Sequence, residues 1–491
     1  MLGLPKSIMS AGVILIACAG ASVAFGQAAG QPAGQAAAKE DFHAEVNRKY
    51  AVLEAQGQPK DGPNAQPLIG KIGKQLGDVS DQVSNGQKKA AGIDAYADFG
   101  GLGMFADPGA DKKDAELAQL AIKKLSNTQM FAEIAAIAKA TRYESEMGRG
   151  LMTLRMIPEL GQARRITRLN IGRASLAMEA KKQDEFVARI DETLAIGSHV
   201  SNSPTLISSL VGIAVQAKAF DTVRRAVATG TLDDVSLTAL AKSIESRKLA
   251  DPVKAIRGEQ LMAEDLTDFV RVGGPNAMAA VKDMDKLDKA FEAGKIVLDR
   301  SKPFYAEEDS LGGDMPNFKT QKVLINEVYD DIARQVNIST KQRLASPTSK
   351  ELKAKIEKNL ILALIVPALS KSVQALDQWR ADRVGTLTII ALERYKLKNG
   401  VYPNSLDALV PAFLSAAPVD PYSEGSLGYL APTKGPNNGL YQGGREYVLY
   451  AAWLDTKDSG GAINFENRFR SKASESEGKD FLLNDVAPTI K

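Results

Sequence analysis

Through the middle of the chain, apolar residues recur at helical spacing. Ile166, Leu169, Leu176 and Ala180 lie at mixed three, four and seven spacings, which place them on one helical face. Lys181 to Asp184 is polar and reads as a turn, after which Phe186, Ile190, Leu194 and Gly197 mark the inner stripe of a partner helix. Ser203-Pro204 predicts a helix start, with Ser203 as N-cap and Pro204 at the first helical position. Leu206, Leu210, Ile213, Ala217 and Phe220 carry that helix to a stop at Gly230. Asp251-Pro252 repeats the start signal, and Gly273-Gly274 is expected to close the segment. The rhythm is that of antiparallel helical hairpins, close to tetratricopeptide-type hairpins but without two copies at a fixed period.

On either side the pattern is less regular. Residues 57–113 are rich in Gly, Pro, Asn and Asp and predict short helices and loops. A helix is expected from Asp114 to Met147, with Leu117, Leu120 and Ile134 on its apolar side. Residues 301–318 read as a loop, and helical spacing returns from Lys319 to Leu344. After Ser346-Pro347 comes a long helix from Ser349 to Lys398, which Pro367 should kink or divide. The last hundred residues are punctuated by Pro and Gly; Tyr447–Trp453 is the clearest strand and Asp480–Leu483 a second candidate. The expected fold is mainly α. A helical-hairpin or bundle body spans 114–345, a connecting helix spans 346–383, and a small α+β module with a short antiparallel sheet spans 384–491.

The first 26 residues differ in kind. Lys6 precedes an apolar run from Ile8 to Ala17, and small residues continue to Gly26, which describes a secretory signal peptide with a cut before Gln27. A second exit, Leu15-Ile16-Ala17-Cys18, fits processing before a lipidated Cys18 and would leave an N-terminal lipid tether. Residues 27–38 then form a Gln/Ala/Gly linker, so 27–113 reads as linker and flexible region. No later run is apolar for the ~20 residues a membrane helix needs, so no transmembrane helix is expected after the signal. The chain is expected in the periplasm or cell envelope, secreted, or held there as a lipoprotein.

Composition narrows the chemistry. Among 491 residues, 62 basic and 59 acidic side chains leave a net charge of +3, too balanced to point to nucleic acid. Two histidines and one cysteine exclude a four-ligand Cys/His zinc site and an internal disulfide. Aromatic residues make up 6%, thin for a sugar-binding cleft.

An ordered series of short motifs runs through the C-terminal part. Leu392-Glu393-Arg394-Tyr395 ends a helix and leads into Asn399-Gly400-Val401-Tyr402-Pro403. Leu406 to Pro411, Asp420-Pro421-Tyr422, Gly428-Tyr429 and Tyr447 to Tyr450 follow, and Asp455 through Asp458-Ser459-Gly460-Gly461 closes the series. In this order, residues 384–483 resemble the globular domain of type II secretion pseudopilins. The resemblance implies a long helix packed on a small antiparallel sheet, with calcium at an Asp-rich loop after the sheet. The whole chain looks like bacterial envelope proteins that join a helical body to such a tail. It departs from a pseudopilin in having an ordinary export signal and a large body ahead of the module, so polymerisation like a pilus subunit is not expected.

The best candidate site is therefore Asp455 and Asp458, whose carboxylates with Gly460-Gly461 behind them offer oxygens and a sharp turn suited to calcium. Lys457 within the loop opposes a cation, and a polar turn between strands is the plainer reading. His199 could serve as a base to Ser198 or Ser201, but no nucleophile elbow surrounds either serine. The more economical reading is a helix-terminal loop. Gly101-Leu102-Gly103 to Ala106 matches a dinucleotide fingerprint as text, without a strand before it. Glu307-Glu308-Asp309 and Arg164-Arg165-Arg168 read as solvated charge clusters, and His43 as a solvated side chain. Together these features lead to an exported protein with a structural or protein-interaction role and a protein or peptide partner. The alternatives are a secreted hydrolase using convergent carboxylates or Ser201 with His199, and an accessory of a type II secretion or pilus-like machine.

Overall fold

The computed structural model describes residues 44–84, 129–145, 157–282, 301–312, 315–432, 446–462 and 477–484. The signal segment, Cys18, His43 and the Gly101–Ala106 motif lie outside these residues. The fold is mainly α with two small antiparallel sheets.

Residues 44–84 contribute two helices, α1 (Ala44–Ala55) and α2 (Gln66–Ser84). Ile69, Ile72 and Leu76 are fully buried, so this stretch, expected to be short helices and loops of a flexible region, forms part of the folded core. The expected helix over 114–147 is, within the described residues, the shorter α3 (Met130–Lys139); residues 140–145 are extended and bond to the chain around Pro63.

The hairpin region matches its expectation closely. A tight turn at Lys181 joins α4 (Pro158–Glu179) to α5 (Gln183–Val200), and α6 (Leu206–Ala228) is joined to α7 (Asp234–Ser246) through Gly230 in the left-handed region. The start of α6 is corrected by two residues. Thr205, not Ser203, accepts the hydrogen bond from Ser208 N, which frees Ser203 for a tertiary contact. The apolar line Leu210, Ile213 and Ala217 is only half buried, and α6 buries Val211, Val215, Ala219 and Val223 more deeply. The reason is that α6 packs on α4, α5, α8 and α12 and so has no single inner face.

α8 (Pro252–Lys282) starts at the expected signal, with Asp251 accepting from Val253 N, and its first helical run ends where Gly273-Gly274 is expected to close it. Gly274 (φ 63°, ψ −147°) kinks it, and the helix resumes after Pro275. The expected loop over 301–318 contains the hairpin β1 (Ser310–Gly312) and β2 (Met315–Asn317), followed by α9 (Phe318–Asn337) and α10 (Thr340–Ala345). The long helix expected from Ser349 is divided at Asn359 rather than at Pro367, giving α11 (Lys350–Lys358) and α12 (Leu360–Asn399). Buried Asn359 caps Leu362 N and exchanges two hydrogen bonds with Gln321, so the break is fully satisfied there. Pro367 is tolerated inside α12.

α12 ties the molecule together. Its first half places Ile361, Leu362, Ile365 and Leu369 in a core with α8 and α9. Its second half places Ile389, Ile390 and Leu392 in a different core. That second core holds Phe186 and Phe220 of the hairpins as well as Tyr447, Trp453 and Phe481 of the C-terminal sheet. Trp379, packed against both cores, donates its indole N–H to Gln216 Oε1 at 3.0 Å. A boundary drawn at 383/384 thus falls inside a continuous helix. A third core joins α2, α3 and the early halves of α4 and α6.

Candidate functional site

At the end of α12 the chain builds a three-stranded antiparallel sheet in the order β3 (Gly428–Leu430), β4 (Val448–Ala452), β5 (Asp480–Leu482). The expected strands over Tyr447–Trp453 and Asp480–Leu483 are β4 and β5; β3 is short and half buried, with little pattern to mark it. Two polar side chains hold β4 at its ends. Asp420 Oδ2 accepts from Ala452 N (2.7 Å) and from Ser423 Oγ (2.9 Å), while Oδ1 accepts from Tyr422 N (2.8 Å). Asn484 accepts from Leu449 N and donates to Tyr447 O. Burial pushes the Asp420 carboxyl up, and these donors hold it back.

The loop after β4 carries Asp455 and Asp458, the candidate calcium ligands for which a polar turn is the plainer reading. Asp455 accepts from Lys457 N (3.2 Å) and from Gly478 N (2.9 Å). Asp458 Oδ1 accepts from Gly460 N (2.8 Å) and from the Tyr450 hydroxyl (3.1 Å). A third acid, Asp480 from β5, comes to the same turn and accepts from Ser459 N and Gly461 N. Asp480 is pushed up to about 6 by burial, with Asp458 and Asp455 adding repulsion and the backbone donors opposing it. Each carboxylate therefore closes the loop on its own amides. Among the described residues, no three His, Cys, Asp or Glu side chains group at metal-binding geometry. Sequence reading missed Asp480 because it lies beyond the loop and reaches it only through strand pairing.

His199 lies in the last turn of α5 rather than in a loop, and it is buried. Its Nε2 is 3.0 Å from Ile137 O; since a carbonyl can only accept, that nitrogen carries the proton. Burial lowers its pKa to about 4, with Arg247 adding to the effect and the bond to Ile137 opposing it. Ser201 donates to Ser198 O at 2.8 Å and accepts from Ala250 N at 2.9 Å. Ser198 Oγ accepts from Gln216 Nε2. The histidine and the serines thus hold neighbouring backbone, and no hydrogen bond joins His199 to Ser201.

Of the remaining charge clusters, the acidic one is solvated and the arginine one is not. Glu307, Glu308 and Asp309 are exposed in a turn closed by Ala306 N to Asp309 Oδ2. Arg164, Arg165 and Arg168 are half buried along α4. The unusual acids lie elsewhere. Glu54, Glu192 and Glu259 are all buried on helices, and burial raises each to about 7. Glu192 is flanked by Arg189 at 3.0 Å and Arg173 at 3.5 Å, whereas Glu259 accepts from Leu206 N at the start of α6. Acids on amphipathic helices read as solvent-facing, so their spacing gave no sign of burial.

No family model matches the chain, and neither curated proteins nor solved structures give a match. By length and composition alone, α6 and α12 are apolar enough to cross a membrane. In this fold their apolar windows are 56% and 47% buried against the rest of the protein. A search for unbroken apolar runs passes over both helices, because polar residues such as Gln216 and Lys218 in α6 and Lys371 and Gln374 in α12 interrupt them.

Proposed function

We propose that the chain is an exported protein of the cell envelope, with a structural or protein-interaction role and no catalytic centre of its own. The observation that carries this reading is α12, which enters the core of the helical body with one half and the core shared with the sheet with the other. Body and module would then present one continuous surface to a protein partner, instead of two domains on a tether. The C-terminal module is read as pseudopilin-like; a long helix packed on β4 of a three-stranded antiparallel sheet is the arrangement expected of that family. The test is cell fractionation with N-terminal sequencing. A processed chain beginning at Gln27, or at a modified Cys18, in the envelope fraction supports export. An unprocessed chain in the cytoplasm overturns it. Loss of a measured hydrolase activity in Ser201→Ala would favour the enzymatic alternative, and co-purification with pseudopilins the secretion-machine one.

A second reading is calcium held at the Asp455 and Asp458 loop. One observation favours it: Asp480 comes to the same turn as Asp455 and Asp458, and a cation would relieve the repulsion among the three carboxylates. Thermal melts in EDTA and in calcium, with magnesium as control, decide it. A ligand at ~100 times its dissociation constant adds about 2.7 kcal/mol to the folded state. A calcium-specific rise in Tm, lost in Asp455→Ala, would establish the site, and identical melts would remove it.

A further inference from the structure

α1 is attached to the body in an unusual way. Its apolar contact is small: Val46 and Tyr50 pack on Leu261 of α8, with Leu53 and Met262 at the rim. The rest is polar and largely buried. The Tyr50 hydroxyl is 2.8 Å from Ser203 Oγ, the serine that the shifted start of α6 leaves available. α8 packs closely on the Ser203-Pro204 stretch because residue 258 is glycine; a Cβ there would lie 1.5 Å from Pro204 O. Lys254 Nζ donates to the carbonyls of Glu54 (2.6 Å) and Gln56 (3.0 Å), so a cation closes the C-terminal end of α1. Gln58 bonds Glu54 O and both backbone groups of Tyr143.

At the centre is Glu54, 3% exposed, whose Oε1 accepts from Ser145 Oγ at 2.5 Å. Its surroundings come from three elements. Ser145, Glu144 and Tyr143 belong to the extended segment, Lys254 to α8 and Glu159 to the start of α4. The buried Tyr143 hydroxyl has no hydrogen-bond partner among the described residues and lies in the field of Glu159, Glu54 and Tyr50. Burial is the largest influence on Glu54 and raises it to about 7; Ser145 and Lys254 oppose this, and Glu144 adds to it. Burial also lowers Lys254 to about 8, against the pull of Glu54 and Asp251.

We propose that α1 is a proton-gated latch, held against α8 and the 141–145 segment when Glu54 carries a proton and loosened when Glu54 is ionised. The direction follows from linkage. Below the ordinary Glu value of 4.5, Glu54 is protonated whether α1 is docked or free. Between 4.5 and about 7, the docked form keeps a proton that the free form has lost, so docking weakens as pH rises. Lys254 acts in the other direction, because between about 8 and 10.5 the docked form is the less protonated one, and docking strengthens as pH rises. Docking is therefore weakest near neutral to mildly basic pH and tightens on acidification. Release would uncover Leu261, Ser203 and the Lys254 ammonium.

Hydrogen–deuterium exchange of the full chain tests this at pH 5.0 and pH 7.5, corrected for intrinsic exchange. Amides of residues 44–55 should exchange about tenfold faster at the higher pH, a conservative fraction of the full linkage between the two states. Peptides from α9 and α12, away from His199, should show no such change and report that the body stays folded. In Glu54→Gln, which keeps the shape without the charge, α1 protection should be high and equal at both pH values. Equal protection of wild-type α1 at the two pH values overturns the latch, whatever the variant does. So does an unchanged pH dependence in a folded Glu54→Gln.

Discussion

The C-terminal module and the α1 face of the body both bury a carboxylate, and they do so by opposite means. Asp420 finds two of its donors within three residues, at Tyr422 N and Ser423 Oγ, and its third on the adjacent strand at Ala452 N. The Glu54 carboxylate accepts from Ser145, ninety-one positions away, and feels the field of Lys254, two hundred positions away, whose ammonium bonds the Glu54 backbone carbonyl. A carboxylate ringed by amides carries donors that oppose the burial penalty wherever its turn is placed. A carboxylate walled in by separate segments is desolvated only while those segments stay assembled. The first kind therefore staples a structure, and the second makes assembly depend on protons.

The sharpest test of this contrast is a charge pair of the long-range kind. Arg224 on α6 is 4% exposed and bonds Asp382 of α12 at 3.0 Å, with Thr386 as a second acceptor. Asp382→Ala removes the anion from a buried guanidinium and should cost about 3–5 kcal/mol in urea unfolding. Replacing both partners with apolar residues of similar size should recover most of that loss. A small cost for the single change would mean that water reaches Arg224.

Asp420→Ala should cost about 3 kcal/mol, because it strands the buried Ala452 and Tyr422 amides. The loss should be modestly larger at pH 5 than at pH 8, because burial raises the Asp420 carboxyl and the fold favours its protonated form, while most of the damage is to the stranded donors. A strongly pH-dependent loss would place Asp420 in the same class as Glu54.

His199 supplies the smallest effect and the opposite sign. Its pKa falls from 6.5 to about 4 in the fold, so the unfolded chain binds the extra proton first. Stability contributed by neutral His199 is present above 6.5 and is lost as pH falls toward about 4. The wild type should lose about 2 kcal/mol across that window, and His199→Gln should flatten that part of the profile. α1 tightens over the same range in which the core around His199 weakens, and exchange by region separates the two.

What could be read in advance follows the range of the interactions. The α4–α5 turn, the stop at Gly230, the start at Asp251-Pro252 and strand β4 all rest on neighbours in sequence. The errors came where a distant partner changed the outcome. Asn359 broke the long helix because Gln321 satisfies it, and Pro367 did not. Residues 57–113 read as short helices and loops because glycines break the pattern, yet Gly73 of the longer α2 is where Gln162 of α4 packs too close to admit a side chain. Asp455 and Asp458 were visible as a turn, whereas Asp480 joined them only through the pairing of Ala452 with Asp480.

By itself the sequence determined the helical class, the hairpin rhythm and the place of the sheet, because periodicity, turn chemistry and local composition act over a few residues. Only the tertiary structure decided that body and module share a core through α12. It alone decided that His199 is a neutral strut and that Glu54 and Lys254 are enclosed together. Burial is a property of the assembled fold, and the free energy of a charge depends on what excludes water from it.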